Sequence, residues 1–295
     1  MTGWRMILVT MVALVVFVST SFGAVQRFEK PHSLASSTCS ATEVQQPAHA
    51  DTNRVALVIG NFNYPDADTP LAQTGNDAYA LASALRKDGF DVDLVQNATR
   101  NDMQRAIERL EAKLRHDSIV MIYFGGYALQ SGGQNYLIPV DASIWDEQDV
   151  RHVGVGADWL FAGLKSSGAH VRLAVIDASR RNPYERRFRS YSHGLAPIRA
   201  DENALILTSE PPGVVADDTD GSNSPLITAL LHEMTSSTRS VEEIFERTRL
   251  AVALTTQNQQ HPAVSSSLTD DATLGPAPAN ANVSSGRNTS LDRRG

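Results

Sequence analysis

Cysteine is almost missing from this chain of 295 residues, which carries one, Cys39. A single thiol excludes an internal disulfide and any zinc site built on paired cysteines. An excess of basic residues is missing too. With 26 Lys and Arg against 33 Asp and Glu, the formal net charge is −7. That balance gives no reason to expect a nucleic-acid partner, since phosphate binding calls for clustered cations. Nor does any uninterrupted apolar run reach the roughly 20 residues of a spanning helix. What is present is ordinary for a globular protein: 42% hydrophobic and 20% charged residues.

The N-terminus reads as an address. Arg5 precedes the apolar run Met6–Val18, and Ser21 and Gly23 follow in a small-x-small pattern. This predicts a signal peptide over residues 1–23, and hence a periplasmic or extracellular protein. The alternative is an uncleaved segment, 6–22, that anchors the chain to the membrane. Residues 24–52 mix Ser, Thr, Gln, Pro and Ala without a period and read as a flexible linker. Cys39 lies within it, too far from the apolar run for lipidation and outside the expected fold. Residues 269–295 lack bulky apolar side chains and read as a disordered tail. One domain remains, 53–268.

Within it, strands alternate with helices. Val55–Ile59 is a short, fully apolar run of the kind buried inside a sheet, and Val92–Val95, Ile119–Phe124, Val171–Ile176 and Ala204–Leu207 read as further strands. Ala78, Leu81, Ala82 and Leu85 mark an amphipathic helix with Asn76 placed to cap it. Met103, Ile107, Leu110 and Leu114 mark a second helix. Residues 157–165, 225–234 and 241–252 read as further helices, and Gly132-Gly133 as a hairpin turn before Tyr136–Val140. The fold class is therefore α/β: a mostly parallel sheet of about six strands with helices on both faces. In such sheets function gathers at the carboxyl ends of the strands.

At those ends stand Gly60-Asn61, Gly125-Gly126-Tyr127-Ala128 and Asp177-Ala178-Ser179-Arg180-Arg181-Asn182-Pro183. Asn76-Asp77-Ala78 opens the first helix. Asn135–Asp141, Gly194-Leu195-Ala196-Pro197 and Asn223-Ser224-Pro225 follow further on. In this order the set resembles the bacterial caspase-like peptidases, the C14 group with metacaspases and paracaspases. The resemblance spans Arg54 to Leu268 and implies the caspase-haemoglobinase-like fold.

It also exposes a departure. Active members carry Gly-His-Gly after the third strand and Asp-x-Cys after the fourth; the histidine helps to form the attacking thiolate. Here the matching positions hold Tyr127 and Ser179, with Ala128 in place of the second glycine. A tyrosine, protonated near neutral pH, is a weak base for a serine. This degenerate dyad excludes the family's cysteine chemistry. Tyr127 is expected to hydrogen-bond Ser179 and fill the cleft. His193 is a distant candidate for a substitute base. His116, His152, His170 and His232 lack metal-ligand spacing, and no cofactor is implied. Asp217, Asp218 and Asp220 read as a solvated turn.

The resemblance implies that Asp77 and Asp177 line a substrate-binding pocket for an Arg or Lys side chain. Their bland roles would be a helix N-terminus and a strand-end loop. It also implies that the N–H groups of Gly126 and Ser179 keep an oxyanion-hole shape. Arg180, Arg181, Arg186, Arg187, Arg189 and Arg199 crowd one loop, either as a solvated basic segment, as a tethered ligand for the acidic pocket, or as a cutting site.

The first functional reading is an exported pseudopeptidase, a binding or regulatory module for basic peptides, or a decoy partner of an active caspase-like relative. Its alternative is a hydrolase that retains activity through Ser179 and cleaves after Arg or Lys. A third reading leaves the cleft irrelevant and assigns the protein an envelope-associated structural role.

Overall fold

The computed structural model describes residues 54–65, 71–188, 193–216, 221–235, 239–269 and 272–274. The expected signal segment, the linker with Cys39, Arg189 and the acidic turn 217–220 lie outside these residues.

In chain order the elements are β1 (Arg54–Gly60), α1 (Ala72–Lys87), β2 (Asp91–Gln96), α2 (Arg100–Lys113) and β3 (Ile119–Gly125). The hairpin β4 (Ala128–Ser131) and β5 (Gln134–Leu137) follows, then α3 (Glu147–Val153), β6 (Val155–Gly156) and α4 (Ala157–Ser166). The chain closes with β7 (Val171–Asp177), β8 (Ala204–Thr208), α5 (Pro225–Glu233), α6 (Val241–Thr255) and β9 (Ala263–Ser266). The main sheet has six strands in the order β2-β1-β3-β7-β8-β9; only β9 is antiparallel. The expected α/β class and mostly parallel sheet are present.

Alternation along the central strands builds two cores. Ala56 and Val58 of β1, with Met121 and Tyr123 of β3, pack toward α1, α5 and α6. Val55, Leu57 and Ile59, with Val120, Ile122 and Phe124, pack toward α2 and α4. Strands buried on both faces need no polar alternation, which is why they read as continuous apolar runs. A third, smaller cluster joins Tyr64, Leu71, Tyr127, Leu129, Ile138, Ile144, Val150 and Tyr184 above the sheet.

Two expectations change. α1 begins at Ala72, so Asn76 sits inside the helix and its side chain donates to the Ser222 carbonyl at 2.9 Å. The first turn of α1 has no side-chain cap and no apolar stripe, which hid the true start. The packed domain also runs past residue 268: Ala272 and Leu274 are buried in the core. Arg54 Nη1 donates to the Thr273 and Leu274 carbonyls, both at 2.7 Å. Two small side chains and one leucine in a polar sequence were enough to seat this segment.

Candidate functional site

Pairing in the sheet brings the carboxyl ends of three strands level, with Gly60 opposite Gly125 and Gly125 opposite Asp177. Above that line the chain holds itself together with side chains. Asn61, fully buried, accepts from Ala98 N at 2.7 Å and donates to the Ile138 carbonyl at 3.2 Å. Gln73, Asn76 and Asp77 share one face of α1 and grip the segment ahead of α5. Gln73 Nε2 donates to the Gly221 carbonyl at 2.8 Å. Asp77 Oδ1 accepts from Asn223 Nδ2 at 2.8 Å and from Ser224 N at 3.0 Å. Asp77 is therefore no helix-end residue; it ties α1 to the segment ahead of α5.

Asp177 ends β7, close enough for its charge to act on Asp77. Burial, and then that charge, push the Asp77 carboxyl up from 3.8 to about 6. Tyr123, wholly buried, has its hydroxyl pushed well above the usual range by burial and by both carboxylates. A Cβ on Gly125 would lie 2.5 Å from the Tyr123 hydroxyl and 2.8 Å from Thr74 Cγ2, so both groups close on this glycine. Among the described residues, Thr74 Oγ1, Asp77 Oδ2, Tyr123 OH, Asp177 Oδ2 and Ser179 Oγ are all buried without a hydrogen-bond partner. Buried polar atoms are usually satisfied, so so many orphans around one strand end mark a functional or water-holding site.

The two dyad positions are both buried, but no hydrogen bond joins their side chains. Ser179 is 1% exposed and its Oγ has no partner, so the expected Tyr127–Ser179 hydrogen bond is not formed. Tyr127 packs instead edge-on against Tyr64, with ring centroids 4.8 Å apart at 67°. Its backbone N–H donates to the Tyr64 hydroxyl at 3.1 Å. An aromatic ring finds more apolar contact in that cluster than over a small polar cleft, and so turns away. His193 is exposed and gives Ser179 no hydrogen bond.

The expected oxyanion-hole donors are engaged within the chain. Gly126 N–H donates to the Asp177 carbonyl at 3.4 Å and Ser179 N–H to Ser209 Oγ at 3.3 Å. Gly126 itself has φ +152, and a Cβ there would lie 2.6 Å from the Tyr64 hydroxyl. Only glycine fits that backbone without strain.

Arg180 was foreseen only as one of a basic series. The structure buries it: at 8% exposed, its Nη1 donates to the Gly126 carbonyl at 3.2 Å and to the Asp177 carbonyl. The same nitrogen stands 3.7 Å from Asp177 Oδ1. The remaining described arginines of that series behave differently. Arg181, Arg186 and Arg199 are exposed, and the Arg187 guanidinium lies 4.9 Å from the Trp145 ring centroid. Gln73, Asn223 and Ser224 complete the site. Asn223 and Ser224 show in the sequence as the Asn-Ser-Pro string before a helix, whereas Gln73 carries no such mark. His116, His152, His170 and His232 are all exposed.

The family model of the caspase domain, peptidase group C14, matches residues 53–273. This chain belongs to the caspase-domain family. Within it, similarity to curated relatives is local. The human mucosa-associated lymphoid tissue lymphoma translocation protein 1 is 28% identical over 118 residues, 35% of this chain and 14% of that protein. Its mouse homologue is 27% identical over 117 residues, with the same shares of both chains. The chain thus spans a small fraction of the length of these relatives. The crystal structure of caspase-1 from Spodoptera frugiperda superimposes with a TM-score of 0.56 at 16% identity, covering 79% of this chain and 94% of that one. That agreement shows the caspase fold.

Proposed function

We propose that this caspase-domain protein is an exported pseudopeptidase, a binding or regulatory module whose pocket takes the basic side chain of a partner peptide. The observation that carries the reading is the pair Asp77 and Asp177. Both carboxylates are buried, and each keeps an oxygen without a hydrogen-bond partner. Two buried acids whose charges act on each other lose solvation that a guanidinium or ammonium restores through charge-assisted hydrogen bonds.

Among the described residues, three observations support an inactive site. Tyr127 points into an apolar cluster, Ser179 Oγ has no base bonded to it, and the N–H groups of Gly126 and Ser179 already have acceptors. An unactivated serine hydroxyl is a poor nucleophile. Export rests on the apolar run after Arg5. The partner is a peptide or protein with an exposed Arg or Lys, an active caspase-like relative among them.

The test is hydrolysis of fluorogenic peptides ending in Arg or Lys by the chain from Ala24, by Ser179→Ala and by Tyr127→His/Ser179→Cys. A silent wild type beside an active double variant supports the reading. Cleavage by the wild type that is lost in Ser179→Ala overturns it in favour of a serine hydrolase.

A further inference from the structure

A second cavity lies at the far end of the sheet. β8 and β9 pair so that Ile206 stands opposite Ser265 and Thr208 opposite Ala263. Side chains alternate along a strand, so Leu205, Leu207 and Val264 join the core beside α5 and α6 while these four turn to the other face. There a strap, residues 195–198, passes over them and encloses a cavity of about 160 Å³. The strap is pinned in place. Ala196 exchanges two hydrogen bonds with the Asn135 side chain, at 2.8 and 2.9 Å. The Leu195 carbonyl accepts from Gly213 N at 3.0 Å, and Ala200 N donates to Ser265 Oγ at 2.9 Å. Pro197 and Pro212 line the cavity and are exposed, so it opens to solvent at that rim.

Among the lining residues Glu210 is the one that carries a charge; the walls around it are mostly apolar. Glu210 is 2% exposed. Its Oε2 accepts from His261 N at 3.2 Å, while Oε1 is buried without a hydrogen-bond partner among the described residues. Burial pushes this carboxyl up from its ordinary value, against the pull of the His261 N–H. A carboxylate so placed has lost hydration that a cation would return.

We infer that this cavity is a binding site for a primary ammonium on a short alkyl stem, with Glu210 as its counter-ion. The ammonium donates a charge-assisted hydrogen bond to Oε1, and the stem lies against Leu195, Ile198 and Ile206. A cavity of roughly 150 Å³ takes a six-carbon ring, so the stem has about five carbons. Asp77, Asp177 and Arg180 are not among the lining residues, so this site is separate from the acid pair and independent of the pocket proposed there.

The experiment is NMR titration of n-pentylammonium chloride and of pentan-1-ol into the full-length protein, followed at the amides of Ile206 and Val264. The wild type is compared with Glu210→Gln, which keeps an acceptor for His261 N, and with Ala263→Ile, which fills the cavity from β9. The wild type should bind the amine with shifts at both amides. Glu210→Gln should bind it at least about tenfold more weakly while its affinity for the alcohol is unchanged. Ala263→Ile should lose both ligands. Equal amine affinity of the wild type and Glu210→Gln overturns the counter-ion. Amine binding that leaves the Ile206 and Val264 amides unmoved, or that persists in Ala263→Ile, overturns the site. Loss of amine and alcohol together in a folded Glu210→Gln also overturns it, since the carboxylate would then shape the cavity rather than pair with a cation. A third ligand, Nα-acetyl-lysine-amide, separates the sources of the ammonium. Shifts at the same amides assign the site to a lysine side chain of a partner; shifts with pentylammonium alone assign it to a free amine, and either result supports the site.

Discussion

Asn223 Nδ2 donates to Asp77 Oδ1 at 2.8 Å, joining residues 146 positions apart. The bond fixes one oxygen of the carboxylate and leaves Oδ2 buried with no partner. Helix α1 and the segment ahead of α5 are thereby locked around a carboxyl group that burial makes reluctant to ionise. Site geometry and acid strength share one origin in this contact.

The first prediction concerns pH. Burial, and next the charge of Asp177, raise the Asp77 carboxyl from 3.8 to about 6, while Tyr123 and Arg180 also face this site. The folded protein therefore holds a proton that the unfolded chain releases. Its contribution to stability is complete below 3.8 and is lost as pH rises to about 6. Asp77→Asn keeps an acceptor for Asn223 and Ser224 and removes the titration. Urea midpoints measured from pH 4 to 7 should fall for the wild type relative to this variant. Parallel profiles for the two proteins would refute the assignment.

Gly126→Ala tests the loop that carries the dyad position. With φ at +152 and a Cβ 2.6 Å from the Tyr64 hydroxyl, alanine meets both backbone strain and a clash. The strain alone costs about 1–3 kcal/mol. Tyr64→Phe removes the clashing atom, so the double variant should lose less than the sum of the singles. Denaturation of all four proteins checks this; strict additivity would place the clash elsewhere.

Much of this was legible in the sequence, and the exceptions have physical causes. β1, β3 and β7 are buried on both faces, so Val55–Ile59, Ile119–Phe124 and Val171–Ile176 announce themselves as apolar runs. β9 does not: Ala263–Ser266 is a short, partly exposed edge strand whose pairing with β8 supplies the order its side chains do not. α3 is similarly hidden, seven residues long with Val150 its one buried side chain, and set by the Asp146–Asp149 capping box. Asp77 and Asp177 were found because a family pattern marks them. The burial of Arg180 over Asp177 had no signal, since a residue three positions after a strand end reads as loop whichever way it folds back.

The C-terminal boundary gives a third prediction. Leu274 is 1% exposed, Val241 N–H donates to the Ala272 carbonyl at 2.7 Å, and Ser240 bridges to Thr273. Leu274→Ala should cost about 2–5 kcal/mol, the range for truncating a core leucine. A chain ending at residue 268 should lose at least as much, because Arg54 is also deprived of two carbonyl acceptors. Equal melting temperatures for the full and shortened chains would show that the segment contributes nothing.

The last prediction separates a working nucleophile from an inherited side chain. Ser179 Oγ is buried and unpartnered, so the hydroxyl pays its desolvation cost without a compensating bond. Removing it in Ser179→Ala should leave stability unchanged or raise it by up to about 1 kcal/mol. A serine held by Tyr127 or by a hidden base would behave in the opposite way, because its loss strands the partner as well. Tyr127→Phe sharpens the comparison: it should not alter the effect of Ser179→Ala if the two side chains are uncoupled. A double-mutant cycle with a coupling above about 0.5 kcal/mol would show that they communicate in solution, and the hydrolase reading would regain its base.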